Sequence, residues 1–171
     1  MKNPEIRTKR TILRKYRDAD KEKFVYLFTD KDINHFMGGQ HCQTKEDAEA
    51  LFLKGFEVYN GLFPGRHFEI WAIEIDGELA GHFELKQTQH TNENELEIVY
   101  MLDKKYWGQG LMPEIIKEIN FYSSGFDKQL IATINPDNLK TVKALNKVGI
   151  EKEEWTEDED GKVFKVWLKE F

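Results

Sequence analysis

The sequence predicts a mixed α/β or α+β architecture in which helices pack against a sheet. Two observations support this prediction. Apolar residues recur at helical spacing in four segments. Elsewhere they alternate with period two in stretches bounded by turn residues. The predicted element order is β-α-α-β-β-β-α-β-α-β-β, which is typical of a layered fold. With 171 residues and no internal repeat, residues 1–171 are expected to form one domain.

The amino-terminal third is predicted to hold one strand and two helices. Residues 10–15 alternate in polarity as a strand does, and Asp18 is placed to cap the helix that follows. A short helical turn is expected over residues 33–36. Thr44 and Asp47 then have the spacing of a capping box, which predicts the start of the second helix.

The remainder of the chain is predicted to alternate between strands and two further helices. Asp76-Gly77 is a strong turn dipeptide and predicts a β-hairpin. Pro113 is compatible with a helix that starts at Leu111, because the first helical turn has backbone donors without intrahelical partners. In chain order the predicted elements are strands at 68–73, 79–85 and 94–102, a helix from Leu111 to Tyr122, a strand at 129–134, a helix from Asn138 to Gly149, and a hairpin of 150–155 with 163–168.

Composition and charge exclude several classes of function. The chain has 25 Lys+Arg and 31 Asp+Glu, a formal charge of −6, and its basic residues are dispersed, which argues against nucleic-acid binding. No apolar run approaches the roughly 20 residues that span a bilayer, and the amino terminus lacks a secretory signal. The single cysteine excludes an internal disulfide, and the five histidines show no metal-ligand spacing. We therefore expect a cytoplasmic protein with no metal, nucleic acid or membrane as a partner.

One stretch of the chain points to a ligand. Where the strand at 94–102 ends, residues 103–110 form a glycine-containing loop, and a helix begins at Leu111. Such a loop exposes backbone N–H groups beside the positive end of the helix dipole, which is an arrangement that binds a diphosphate. The loop lacks the Lys-Ser/Thr ending of a P-loop, and Pro113 stands where a dinucleotide fingerprint has its third glycine. A glycine turn needed only for strand–helix packing is the alternative interpretation.

Three motifs in this half of the chain resemble those of the GNAT acetyltransferases. Residues 105–110, KYWGQG, resemble the acyl-CoA pyrophosphate loop of that superfamily, (R/Q)-x-x-G-x-(G/A). Residues 97–102 resemble the strand that precedes this loop. Residues 138–141 and Gly149-Ile150 resemble its second motif, in which N-x-x-S is followed by a helix that ends in Gly-Phe.

The amino end is similar to the RimJ/RimL branch of the superfamily. Residues 8–14, a helix, and then 36–39 carry this likeness, so the resemblance runs from about residue 8 to the end. Three positions depart from the usual pattern. Lys105 stands where Arg or Gln is usual, which keeps a cation but loses the fork geometry. Thr141 replaces Ser, and Leu145 stands where many relatives have a tyrosine that protonates the departing thiolate.

The resemblance implies a GNAT fold, with a central, mostly antiparallel mixed sheet flanked by helices. It also implies transfer from acetyl-CoA to a primary amine by direct attack in a ternary complex, most closely to a protein N-terminal α-amine. A small polyamine or aminoglycoside is the alternative acceptor, and a non-catalytic acyl-CoA-binding module is the alternative of another class. The resemblance leaves open whether the chain forms a homodimer. The cofactor-binding residues that the resemblance implies are Met101, Leu102, Lys105, Trp107, Gly108, Gln109, Gly110, Leu111, Met112, Asn138 and Thr141.

Glu97 is the first candidate for the base that takes the amine proton, because it lies on the strand beside the loop and matches a base in several relatives. Glu95 shares its face and is the reserve candidate; a solvent-facing glutamate is the alternative for Glu97. The resemblance implies that the Met101 amide, on a bulged strand, stabilises the oxyanion, and that Thr141 offers a hydroxyl to the leaving thiolate. Asn138 is expected to hold the pantetheine amide. A plain helix cap for Asn138 and a position without ligand for Thr141 are the alternatives.

Two further side chains are candidates with more modest roles. Cys42 is remote in sequence from the loop and is expected to be structural, in line with a reaction that has no acyl-enzyme. His82 lies on a hairpin strand whose inner face could reach the cleft, so it is a candidate substrate contact. The two amino-terminal helices and the loop at 60–67 are expected to set acceptor specificity.

Overall fold

The described strands form one eight-stranded sheet. The computed structural model describes residues 3–37, 42–158 and 161–170. The strands are β1 (Ile6–Arg7), β2 (Ile12–Arg14), β3 (Phe68–Ile75), β4 (Glu78–Lys86), β5 (Glu95–Leu102), β6 (Gln129–Ile134), β7 (Ile150–Asp158) and β8 (Gly161–Leu168). They lie in the order β1-β2-β3-β4-β5-β6-β8-β7, and only β5 and β6 run parallel among these neighbours. The predicted mixed, mostly antiparallel sheet is confirmed.

Helices cover both faces of this sheet. They are α1 (Lys21–Thr29), α2 (Lys45–Tyr59), α3 (Leu111–Ser124) and α4 (Leu139–Val148). Side chains of α3 and α4 such as Ile115 and Leu145 join one buried cluster with the sheet. Side chains of α1 and α2 such as Phe24 and Phe52 join a second cluster with Met101. Each fully buried apolar side chain contributes about 1.5–3 kcal/mol, so both clusters stabilise the fold.

The amino end differs from the prediction in its boundaries. The predicted strand at 10–15 is shorter, Ile12–Arg14, and the unpredicted β1 pairs with it. The predicted cap at Asp18 is wrong, because Asp18 opens a 3₁₀ turn and α1 begins only at Lys21. Residues 33–36 form turns and no helix.

A buried ion network fixes the start of α1. Both terminal guanidinium nitrogens of Arg14 donate to the Asp20 carboxylate, at 2.7 and 2.9 Å, and Arg14 Nε donates to Glu74 on β3. Asp20 also accepts from the Arg17 N–H at 2.7 Å. Because the charge-assisted fork bonds join β2, β3 and the turn before α1, they hold α1 against the sheet.

Two local turn predictions are confirmed. The Thr44 hydroxyl accepts from the Asp47 N–H at 3.1 Å, and the Asp47 carboxylate accepts from the Thr44 N–H at 3.1 Å, which is a capping box for α2. Asp76 and Gly77 have φ of 51° and 83°, the left-handed pair that a type I′ hairpin turn requires.

Gly81 allows β4 and β5 to approach closely beside the loop at 103–110. A Cβ atom on Gly81 would lie 2.3 Å from the Met101 carbonyl oxygen and 2.8 Å from Leu102 Cδ2. Neither strand could keep its place with a larger residue, because one of the two contacts is with backbone.

We expect Gly81→Ala to lower the free energy of unfolding by about 3 kcal/mol, since overpacking against backbone forces the strands apart. Urea denaturation measures this change. Gly125→Ala is the matched control: its Cβ would lie 3.4 Å from the Tyr122 carbonyl, an ordinary contact, so its effect should stay within about 1 kcal/mol. Equal effects of the two substitutions would contradict this account of the strand pair.

Candidate active site

The sheet opens between its two parallel strands. β5 and β6 are paired as far as Glu97 and Ile131. Beyond that point β5 continues along β4 to Leu102, while β6 continues along β8 to Ile134. The carboxyl ends of the two strands therefore part, and their facing edges carry backbone groups without a strand partner in the described chain.

The edge of β5 offers particular amides to this cleft. The register between β4 and β5 pairs Met101 with His82 and has no bulge. A 2.9 Å bond from the Asp103 N–H to a β4 carbonyl fixes the phase of the ladder. Since hydrogen bonds alternate in an antiparallel pair, the Met101 N–H is directed at β4, whereas the amides of Tyr100 and Leu102 face the cleft. The predicted bulge is therefore absent from this strand pair, and the Met101 N–H is not available to a ligand. The amides that face the cleft are those of Tyr100 and Leu102.

The loop at 103–110 turns the chain from β5 into α3. Gly108 and Gly110 have φ of 74° and 73°, a left-handed conformation that favours glycine. The Gln109 side chain donates to the Lys105 carbonyl at 2.9 Å and closes the loop. Over the described ranges, no oxygen accepts from the N–H groups of residues 108–110. These free amides meet the amino end of α3, so the loop is built to receive an anion.

The side chains of the loop have separate roles. Lys105 Nζ lies 3.2 Å from Glu78 Oε2 at the surface, so its charge is shared with that carboxylate. Trp107 Nε1 donates to the Leu102 carbonyl at 2.9 Å and ties the loop to β5. The Lys140 ammonium of α4 lies 3.4 Å from the centre of the Trp107 ring. Trp107 therefore joins the loop to both sides of the cleft.

Leu111 and Met112 open α3 but turn their side chains inward. They are 4% and 6% exposed and belong to the cluster beneath α3. Only their backbone N–H groups, in the first turn of the helix, are available to a ligand.

At the other side of the cleft, α4 places the Thr141 hydroxyl near the phenol of Tyr100 on β5. The Asn138 side-chain oxygen, Oδ1, accepts from the Thr141 N–H at 3.3 Å, so Asn138 caps α4. Tyr100 Oη is buried with no partner that meets hydrogen-bond geometry. Burial raises the pKa of Tyr100 to about 12, and the nearby Thr141 side chain acts in the opposite direction. Leu145 is fully buried and supplies no acid.

Sequence analysis missed Tyr100 as a functional candidate. It shares one face of the strand with Leu96, Ile98 and Leu102, and its ring stacks on Phe83 with the ring centres 6.0 Å apart. A phenol two residues before the end of the strand that leads into the loop was the available signal.

Glu97 is buried, which excludes the solvent-facing alternative. It is 4% exposed, and its two carboxylate oxygens accept from Thr88 Oγ1 and Thr133 Oγ1, each at 2.5 Å. Its position is the last one at which β5 and β6 are paired. The carboxylate is thus held at the head of the cleft, on the face of β5 that also carries Met101.

Glu95, the reserve candidate, is hydrogen-bonded to side chains of the neighbouring strand β8. Trp167 Nε1 and Lys165 Nζ of β8 donate to its two oxygens at 2.6 and 2.8 Å. Burial disfavours the ionised form, but these donors outweigh it and lower the pKa of Glu95. Glu95 therefore fixes β8 beside β5, and Glu97 remains the first candidate for the base.

A buried polar chain crosses the face of the sheet that α1 and α2 cover. Tyr16 Oη lies 2.6 Å from His82 Nδ1, and His82 Nε2 lies 2.9 Å from Glu84 Oε1. Lys86 Nζ is 2.6 Å from the other Glu84 oxygen, an ion pair without hydrogen-bond alignment. Burial opposes ionisation, yet His82 and Lys86 outweigh it and lower the pKa of Glu84 to about 2. An ionised Glu84 accepts from the Nε2–H, which leaves Nδ1 to accept from the Tyr16 hydroxyl.

An apolar cavity of about 160 Å³ lies over this polar chain. Its walls come from α1, α2, the loop that follows α2 and β3, and His82 is among its lining residues. The aromatic side chains that line it are Tyr16, Phe24, Phe28, Phe52, Phe63 and Phe68. The elements that line the cavity include those expected to set acceptor specificity.

Cys42 is half-buried, and its environment does not activate the thiol. Burial and the Asp47 carboxylate raise the pKa of Cys42.

Gly38 and Gly39, which carry part of the likeness to the RimJ/RimL branch, lie outside the described residues. Within the described ranges no group of His, Cys, Asp and Glu could hold a metal ion. The helices of this described part of the chain are all too short or too polar to span a bilayer.

Known proteins resemble this chain in sequence or in fold. YkkB of Bacillus subtilis (strain 168) is 28% identical over 153 residues, which cover 84% of this chain and 83% of YkkB. RimJ of Mycobacterium smegmatis, solved in complex with CoA-disulfide, has a TM-score of 0.76 at 17% identity, covering 97% of this chain and 86% of its own. AAC(6')-Ib, solved with ribostamycin and coenzyme A, has a TM-score of 0.72 at 14% identity, covering 94% of both chains.

The solved structures share the fold at low sequence identity, and a family model carries the assignment. The model for the acetyltransferase (GNAT) domain matches residues 10–151, which is most of the chain. The parted strands and the free amides of the loop lie within that range. This chain therefore belongs to the GNAT acetyltransferase family.

Proposed function

We propose that this GNAT family member transfers an acetyl group from acetyl-CoA to a primary amine while both substrates are bound. The cleft between β5 and β6 carries the proposal, because it joins an unpaired strand edge to the free amides of residues 108–110. Acetyl-CoA supplies the acetyl group as a reactive thioester. The chemistry of the two regions fits its parts, since amides at a helix amino end suit a pyrophosphate and a strand edge suits an amide-containing arm.

Particular residues would hold the co-substrate. The N–H groups from Gly108 to Met112 would receive the pyrophosphate, and the Tyr100 and Leu102 amides would bind the pantetheine arm or the thioester carbonyl. Trp107 would form a wall of the cleft, next to Lys140. Asn138 would contribute its side-chain N–H group, since its oxygen is already used in capping α4.

Glu97 is the proposed proton acceptor. In the overall transfer, the amine nitrogen bonds to the acetyl carbon, the carbon–sulfur bond breaks, one amine proton passes to a base and the sulfur takes up a proton. Glu97 lies three residues from Tyr100, which is about 10 Å along a strand, so it would act through bridging water. Thr88 and Thr133 hold its carboxylate at the head of the cleft.

The departing thiolate needs a hydrogen-bond donor, and α4 and β5 provide two. Thr141 is the donor that the sequence predicts. Tyr100 adds a buried phenol without a partner, and such a group is costly unless a ligand satisfies it. Cys42 has a raised pKa and is unsuited to carry the acetyl group, which favours direct transfer.

A protein N-terminal α-amine is the first acceptor that we propose. Its pKa of about 7.7–8.0 leaves part of the amine uncharged at neutral pH, so one carboxylate suffices as base. The likeness to RimJ supports this choice. A polyamine or aminoglycoside is the second candidate, because AAC(6')-Ib shares the fold. A module that binds acyl-CoA without catalysis is the alternative of another class.

We expect Glu97→Gln to lower kcat by about 100-fold or more and to leave acetyl-CoA affinity unchanged, because a positioned general base contributes about that much. Thiol release in the presence of an amine panel measures the rate, and calorimetry measures the affinity. Glu93→Gln, at an exposed position nearby, is the control and should leave the rate unchanged. An unchanged rate in Glu97→Gln would rule out Glu97 as the base. No measurable transfer by the unsubstituted protein would favour the non-catalytic module.

We expect Tyr100→Phe to stabilise the free protein by about 1 kcal/mol, since it removes a buried hydroxyl without a partner. The same change should lower kcat by about tenfold if the phenol donates to the thiolate. Thermal unfolding and thiol release give the two readings. Tyr122→Phe is the matched control: its hydroxyl donates to Glu69 at 2.9 Å, so its loss should destabilise the protein without a change in kcat. An unchanged kcat in Tyr100→Phe would leave Thr141 as the donor.

A further inference from the structure

We infer that the acceptor amine carries an apolar group about the size of one ring, and that this group occupies the cavity beneath α1 and α2. This inference rests on the proposed function. The cavity measures about 160 Å³. Because an apolar protein cavity of about 150 Å³ binds benzene, this volume suits an aromatic ring or a branched aliphatic group.

The buried polar side chains that line the cavity bond mainly to one another. Tyr16 donates to His82, His82 donates to Glu84, and Glu84 is also paired with Lys86. Tyr16, His82 and Glu84 are all buried. Lys54, also in the lining, is exposed. Glu84 Oε2 is paired with the Lys86 ammonium but accepts no hydrogen bond in the described chain, so the carboxylate charge is balanced without the occupant.

The lining disfavours multiply charged, hydroxyl-rich acceptors. Its walls include Phe24, Phe28, Phe52 and Phe63, which offer rings and no polar atoms. Glu84 is the only carboxylate among the described lining residues, and it is already paired. An aminoglycoside or polyamine placed here would lose water at its charged groups without gaining carboxylate partners, which is unfavourable.

The cavity is next to the cleft in which transfer would occur. His82 lines the cavity and is the register partner of Met101 on β5. The residue before Met101, Tyr100, directs its amide into the cleft. Neighbouring strands lie about 4.8 Å apart, so an amine tethered by a short link to a group in the cavity reaches the far edge of β5.

Two sources share this chemistry: a peptide whose first residue has an apolar side chain, and a small arylalkylamine. The 171-residue chain with acetyl-CoA is tested on two matched pairs of acceptors. One pair is a tetrapeptide beginning with Phe against one beginning with Ser, and the other is phenethylamine against ethanolamine. Kanamycin and spermidine complete the panel. We expect kcat/KM to be about tenfold or more higher for the phenyl member of a pair. A preference only in the peptide pair assigns a protein amino terminus, and a preference only in the amine pair assigns a small amine. Equal rates within both pairs, or the fastest transfer to kanamycin or spermidine, would overturn the inference.

Filling the cavity tests its role directly. Leu51 and Leu62 line it from α2 and the following loop, so Leu51→Trp and Leu62→Trp should each reduce the phenyl preference about tenfold. Leu53→Trp is the matched control, because Leu53 is 61% exposed on the same helix and does not line the cavity. Melting temperatures establish that each variant is folded. A phenyl preference that survives both cavity variants would contradict the inference.

A binding measurement separates this inference from the proposed function. Phenethylamine and ethanolamine are titrated into the protein by calorimetry without acetyl-CoA. Tighter binding of phenethylamine that is lost in Leu51→Trp, with no transfer to any amine, would support the cavity assignment and overturn the proposed function. Transfer to amines with no difference in binding between the two probes would overturn the cavity assignment and leave the function.

Discussion

The parting of β5 and β6 is the constraint on which the functional architecture depends. The two strands are paired at Glu97 and Ile131 and then diverge, because each follows a different antiparallel neighbour, β4 on one side and β8 on the other. Divergence leaves backbone donors and acceptors on both edges, and a buried edge of this kind is costly until a ligand or water satisfies it. It also sets the loop at 103–110 beside α4, so the free amides and the Thr141 hydroxyl border one cleft.

The two faces of the sheet carry different parts of the proposed site. α3 and α4 lie on the face that borders the loop and Tyr100, where the co-substrate would be held. α1 and α2 lie on the other face, above the Tyr16–His82–Glu84 chain and the apolar cavity. The Arg14 network fixes the start of α1 and with it two of the phenylalanines that wall the cavity. β5 belongs to both halves, since its residues alternate between the two faces.

The sequence predicted local features that depend on neighbouring residues. The capping box at Thr44, the Asp76-Gly77 turn and the helix after Gly110 were all recognisable, because short-range backbone chemistry determines them. Features that depend on long-range packing were not. Glu97 is buried only because Thr88 and Thr133 arrive from other segments, and the Met101 amide is turned away by the phase of a ladder that the sequence does not display. The polar chain below the cavity likewise joins Tyr16, which follows β2, to His82 of β4 across 66 residues.

Calorimetric titration of the full chain with acetyl-CoA tests the central claim most directly, with ADP and NAD as reference ligands. A cleft built from free loop amides and an open strand edge predicts one acetyl-CoA per chain, saturating below about 1 mM, and weaker binding of the two nucleotides. The same titration in Gly110→Trp should show much weaker binding, because φ there is left-handed and the helix amino end would be covered. No heat of binding at millimolar acetyl-CoA would mean that the loop serves only strand–helix packing, and the proposed function would then be wrong.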